Sequence, residues 1–176
     1  DQIFTGRKIM PEPVINDADR PADLVKGTDF RYEYGDNRDV TDAAVVRIIG
    51  MNNYTGTAQK TFKILAKSVA TGDVEIADIP DQTYTRAAIT PVIVVRDEAD
   101  ANKEKLIEGT DYTVAWSNNV NAGTATVTIT GKGNYDNTTT LSKTFTILPK
   151  DIANFDVTLS ATSFDYNNVD QKPTTT

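Results

Sequence analysis

Cysteine and histidine are both missing from this chain of 176 residues. Without cysteine there can be no disulfide, thiolate metal site or cysteine nucleophile, and the absence is compatible with export. Without histidine the commonest general base and the commonest transition-metal ligand disappear together. The expectation is therefore a non-catalytic protein with no cofactor and no metal. Positive charge is in deficit as well: 18 basic against 25 acidic residues leave a net charge of −7. Such a surface repels nucleic acid phosphates and anionic membranes, so neither is an expected partner. No apolar run approaches the roughly 18 residues that a membrane helix needs, and no signal-peptide pattern opens the chain.

What the chain does have is an internal repeat. Residues 1–11 (DQIFTGRKIMP) align without a gap on residues 81–91 (DQTYTRAAITP), and a weaker echo ending FDYNNVDQKP occupies residues 164–173. GTDF at 27–30 returns as GTDY at 109–112, GMNNY at 50–54 as GKGNY at 131–135, and KTFKIL at 60–65 as KTFTIL at 143–148. Spacings this long indicate tandem domains and not a short solenoid unit. The boundaries read as 1–67 for the first repeat, which lacks its opening strand, 68–149 for the second, and 150–176 for the start of a third. The repeat is cut in mid-phrase at both ends, so a fragment of a longer protein is expected. Short junctions at 66–68 and 149–151 predict limited bending and an elongated arrangement.

Period-two alternation dominates each copy. In residues 124–130 (TATVTIT) Ala125, Val127 and Ile129 share one face and threonines the other; Ala44, Val46 and Ile48 repeat that face in the first copy. Phe62 and Ile64, echoed by Phe145 and Ile147, continue it in the closing strand. After each GTD turn the residues Phe30, Tyr32 and Tyr34, or Tyr112, Val114 and Trp116, line one side of a strand. Residues 92–96 (VIVVR) read as a core strand, with 13–15 as its poorer counterpart. Residues 16–23 and 97–105 read as polar connectors, the second with helix-forming composition. Gly50, Gly131 and Gly133 are expected at tight turns for their tolerance of positive φ. Each copy should hold six or seven short strands and almost no helix.

These motifs resemble the MBG-like group of bacterial surface repeats, related to bacterial immunoglobulin-like domains. The second copy carries the pattern in Tyr84, Leu106, Gly109, Thr110, Asp111 and Tyr112, in Asn118 and Asn119, and in residues 122–125, 133–135 and 145–147. It departs at Arg86, where glycine is expected, and at Asn137. The first copy is more divergent and replaces the Ala-Gly-Thr-Ala turn with residues 41–44. The resemblance implies an all-β chain of two tandem Ig-like β-sandwich domains plus the opening of a third. It also implies an extracellular place, on a bacterial surface or secreted, as a structural spacer or adhesion repeat whose partners are neighbouring repeats. The alternative is a carbohydrate- or host-receptor-binding module. The competing fold is a β-grasp, which demands a helix across the sheet.

Candidate sites follow from these readings. An aromatic strip can stack on sugar faces, which singles out Trp116 and Tyr34, with Tyr32 and Tyr112 beside them, although core packing is the favoured reading. Lys60 and Lys143 recur beside the closing strand, as do Asn53 and Asn134, and Lys–Asn isopeptide bonds occur in related adhesin domains; each would lower the mass by one ammonia. Taking Phe62 as inward makes Lys60 inward too. Asp29 with Glu33, and Asp97 with Glu98 and Asp100, are carboxylate pairs, better read as solvated groups and turn caps. Asp17, Asp19 and Asp23, or Asp36, Asn37 and Asp39, offer hard oxygens to calcium without an EF-hand pattern. Finally, residues 155–159 (FDVTL) match the strand around Val74 and Ile76, which the first copy lacks, so head-to-tail strand exchange between molecules is an expected interaction.

Overall fold

The computed structural model describes residues 1–15, 24–99 and 105–173. It is all-β. β1 (Gln2–Ile3), β2 (Phe30–Tyr34), β3 (Thr41–Gly50) and β4 (Thr57–Leu65) form one four-stranded sheet in the order β1-β4-β3-β2. The second repeat begins with β5 (Val74–Ile76), followed by β6 (Gln82–Thr83), β7 (Val95–Asp97), β8 (Tyr112–Ser117), β9 (Gly123–Gly131) and β10 (Thr140–Leu148). Here β6-β10-β9-β8 repeats the first sheet strand for strand, while β5 and β7 form a separate antiparallel ribbon. In both sheets the short first strand runs parallel to the last (Gln2 opposite Ile64, Gln82 opposite Ile147) and the other neighbours are antiparallel. A 3-10 turn, Ile152–Asn154, is capped by the Asp151 side chain.

The alternation places the core where period two demands. Ala125, Val127 and Ile129 are fully buried on β9, and Ala44 and Val46 are buried on β3. Ile48 is only half-buried, although its counterpart Ile129 is sealed. The difference lies in what covers each sheet: Val74, Ile76, Ile93 and Val95, on and beside the β5–β7 ribbon, pack over the second sheet, and no described strand does so for the first. The divergent residues 41–44 make an irregularity in the β3–β4 ladder, between the pairs Thr41–Ile64 and Ala44–Phe62. The matching ladder of β9 with β10 is regular.

Several strand expectations are corrected in detail. The core strand expected over 92–96 pairs only as Val95–Asp97, because its partner β5 is three residues long; Val92 is 90% exposed. Among the described residues the first copy has four strands and the second six. Gly50 and Gly131 are not at positive φ; an added Cβ would lie 2.8 Å from backbone atoms of Tyr54 and Thr55, or 2.4 Å from the Asp136 carbonyl oxygen. Close approach of the next turn, not dihedral freedom, requires glycine there. The connector 16–23 lies outside the described residues, as do positions 100–104 of the second connector, whose Glu98 and Ala99 form a turn. No described helix is long and apolar enough to cross a membrane.

The two copies are packed together. One buried apolar cluster includes Phe4, Ile9, Ala44 and Ile64 from the first and Val69, Val74, Val95, Val127 and Tyr135 from the second.

Candidate functional site

The most organised polar constellation lies where the copies meet. β4 ends at Leu65, and Lys67 follows as the chain enters the second repeat, with its side chain 8% exposed. On β7 the buried, exposed, buried alternation of Val95, Arg96 and Asp97 directs Asp97 inward, where it is 1% exposed. The Lys67 ammonium donates to both Asp97 oxygens, at 2.7 and 2.8 Å. The Tyr135 hydroxyl donates to Oδ2 at 3.1 Å, and the Ala99 amide to Oδ1 at 3.1 Å. Asp73 adds a second carboxylate 3.3 Å from the ammonium, at the rim. A carboxylate accepting four such contacts has no lone pair left for a substrate. The arrangement is suited to fixing two segments against each other, as a buried pair does when both partners stay present.

Around this pair the joint is closed by backbone and side-chain contacts that cross the repeats. The Lys67 amide donates to the Asn134 carbonyl at 3.0 Å, and the Asp136 amide to the Lys67 carbonyl at 2.8 Å. The Asn134 side chain reaches back, donating to Asp39 and accepting from the Val40 amide, both at 2.9 Å. Phe4 meets Tyr135 edge-on, ring centroids 5.7 Å apart. The GNY turn therefore serves the fold as a contact between units, a role that its repetition in the sequence did not disclose.

Of the residues singled out from sequence, Asp97, Asn134 and Asp39 lie at this joint and the others elsewhere. Tyr34 is half-buried in a ladder with Tyr32 and Phe30, and its hydroxyl donates to the Pro11 carbonyl at 3.0 Å; Tyr32 does the same to Pro13 at 2.7 Å. Burial holds both phenols above the ordinary tyrosine pKa, with Glu12 adding to the shift and Lys26 opposing it. The N-terminal segment thus lies across the aromatic strip. Trp116 is half-buried, edge-on to Phe145 at 5.8 Å, and borders a cavity of about 330 Å³ with Pro91 and Ile93. Tyr112 is buried.

Lys60 lies opposite Val46 with the parity of Phe62, but it is exposed and not inward. Lys143 is half-buried and pairs with Asp78 at 2.6 Å. That contact raises the lysine pKa and lowers the carboxyl pKa, in each case chiefly through the hydrogen bond. Asn53 is exposed, and Asn134 is engaged with Asp39 and Val40. Asp29 and Asp111 cap their turns, accepting from the amides of Val25 and Ile107 at 2.8 Å. Asn37 is buried, pairs with both backbone groups of Val45 and donates to the Ile9 carbonyl, and Asp39 serves the joint. Asp17, Asp19 and Asp23 lie outside the described residues, and among those described no group of three acidic side chains is gathered as for a metal.

Sequence reasoning missed Lys67, Asp97 as its partner, and Tyr135 as theirs. A signal existed: Lys67 recurs as Lys150, two positions after the closing strand, and Tyr135 stands where Tyr54 does. No family model, no curated protein and no solved structure matches this chain.

Proposed function

We propose that this chain is a non-catalytic spacer made of Ig-like repeats, of the kind that the MBG-like resemblance implies, and that it works outside the cell by holding its ends at a set separation. The single observation that supports this reading is the joint. A buried ion pair, an edge-on aromatic contact and an asparagine bridging both copies leave little freedom for one repeat to swing on the other. A protein that needed only to tether would have no use for a packed junction. Neighbouring units are its principal partners.

Small-angle scattering tests the mechanical claim. The particle should have one maximum dimension over a wide range of salt, and Asp97→Ala should broaden the distance distribution. A wild-type profile that already requires an ensemble of bent forms sinks the spacer. Glycan arrays and insoluble polysaccharides test the alternative, a binding module. Retention that Trp116→Ala abolishes would replace the spacer reading with a lectin-like one.

A further inference from the structure

The two copies differ where β2, or β8, faces the proline segment that precedes it in sequence. In the first repeat the chain closes this place with its own side chains. Tyr32 and Tyr34 donate their hydroxyls to the Pro13 and Pro11 carbonyls at 2.7 and 3.0 Å. Lys26 lies across the same place, with its ammonium 5.2 Å from the centre of the Tyr32 ring and bonded to the Glu12 carboxylate. A lysine is thus held between a carboxylate and an aromatic ring. That hydrogen bond is the first cause of the raised pKa of Lys26.

The second repeat keeps Pro11 as Pro91 but has Val92 for Glu12, Ile93 for Pro13, Glu108 for Lys26, Val114 for Tyr32 and Trp116 for Tyr34. The charge before the GTD turn is reversed, the acid opposite it is gone, and a valine stands in place of a phenol. These residues, together with Thr90, line the cavity of about 330 Å³. Its volume is at the lower end of the range of about 300–1,000 Å³ typical of ligand pockets. Val92 is 90% exposed and gives the cavity an apolar wall. Val114 has no hydroxyl, so Ile93 lacks the donor that Tyr32 provides to Pro13. Trp116 is fixed edge-on against Phe145. Glu108 is exposed, and among the described residues no cation pairs with it; Lys132 donates to the adjoining Gly109 carbonyl instead. No lysine or arginine is among the described residues that line the cavity, so an anionic ligand would meet no opposite charge there.

We propose that this cavity binds the side chain of a lysine presented by a partner polypeptide. The ammonium meets Glu108 as that of Lys26 meets Glu12, and the Trp116 ring takes the part of the Tyr32 ring. The four-carbon stem lies along Val92, Ile93 and Val114, which bury it while the charged end stays near water. The first repeat supplies the precedent for the occupant, since a polypeptide lysine fills the same place there. A net charge of −7 favours approach of a basic partner surface. One lysine held by an exposed carboxylate binds weakly, so the site reads a basic surface and does not trap a small ligand. The proposal goes beyond the spacer reading and would survive its failure, because it rests on the second repeat alone.

The single tryptophan reports occupancy directly. Titrating the whole chain with a blocked peptide that carries one lysine between alanines should change Trp116 fluorescence saturably, with a Kd of order millimolar. The same peptide with norleucine for lysine keeps the stem and loses the charge; it should bind about tenfold more weakly, the combined effect of an ion pair and a cation–π contact. Glu108→Gln should weaken the lysine peptide by about fivefold. Val114→Tyr restores the phenol that Tyr32 provides in the first repeat and should abolish the response by filling the cavity, with circular dichroism checking the fold. Glu108 is exposed, so its variant decides the matter even if the tyrosine variant fails to fold. A lysine peptide that gives no saturable change overturns the proposal, as do equal affinities for the lysine and norleucine peptides or a response that Glu108→Gln leaves unaltered. Binding of n-pentylammonium where the peptide does not bind assigns the cavity to a free amine and overturns the polypeptide occupant.

Discussion

The residue that decides most in this chain is Asp97, an aspartate at a position that alternation reserves for the core. Leaving it there without Lys67 would strand a desolvated charge, so removal of either partner alone should be far worse than removal of both. Asp97→Ala is expected to destabilise the fold by about 3–5 kcal/mol, while replacing both Lys67 and Asp97 by apolar residues of similar volume should be close to neutral. Urea denaturation of the two single variants and the double completes the cycle. Additive losses would mean that the pair is not coupled, contrary to the 2.7 Å contact. Tyrosines give a pH dependence of known sign. Tyr32, Tyr34 and Tyr112 have raised pKa values, first of all because burial disfavours the phenolate. Their contribution is fully present below the unfolded value of about 10 and is lost as pH rises through the folded values. Stability followed by circular dichroism should therefore fall above pH about 10, with phenolate absorbance lagging that of a denatured control. Superimposable titrations of folded and denatured chains would contradict the burial of these rings.

At the scale of elements, the ladder that joins β9 to β10 depends on a turn packed so closely that one methyl group is too much. Ala in place of Gly131 would set its Cβ 2.4 Å from the Asp136 carbonyl oxygen, which belongs to backbone and has no rotamer to escape into. A loss of about 1–3 kcal/mol is expected for Gly131→Ala, the range typical of overpacking. Thermal unfolding checks it, and an unchanged midpoint would show that the turn yields. The same elements show which parts of the fold a sequence discloses. Alternation in residues 124–130 is dictated by one buried face, so Ala125, Val127 and Ile129 could be read directly. The aspartates after Gly-Thr could be read because a turn cap uses residues only four apart. Parity put Lys60 on the face of Phe62, but whether a given position on that face is covered depends on distant segments, and Lys60 itself is exposed while Val46 opposite it is buried. Lys67 was hidden for the same reason. A lysine in a short polar junction looks solvated until Asp97 and Tyr135, both more than two dozen residues away in sequence, are brought over it.

On the scale of the whole molecule, the question is whether two copies of one pattern behave as two folding units or as one. The repeat predicts a pair of modules, each with its own sheet, and two such sheets are present. Yet the buried cluster runs through Phe4, Val69 and Tyr135 without a break, and Asn134 is bonded to both Asp39 and Val40. Opening the joint would expose apolar surface from both sides and break the Lys67–Asp97 contact. Coupling of that kind makes the partly unfolded state expensive, so the copies should unfold in one step with equal calorimetric and van't Hoff enthalpies. The chain supplies its own probe. Trp116 is its single tryptophan and sits in the second repeat, so fluorescence reports that copy while far-ultraviolet circular dichroism reports both. Coincident transitions by the two signals are expected for the natural chain. Phe4→Ala removes the ring that faces Tyr135 and, at a cost of about 3–5 kcal/mol if the site cannot collapse, should separate them, with the fluorescence transition the later because the second sheet keeps its β5–β7 cover. Two separate transitions in the natural chain would mean that the copies meet without supporting each other.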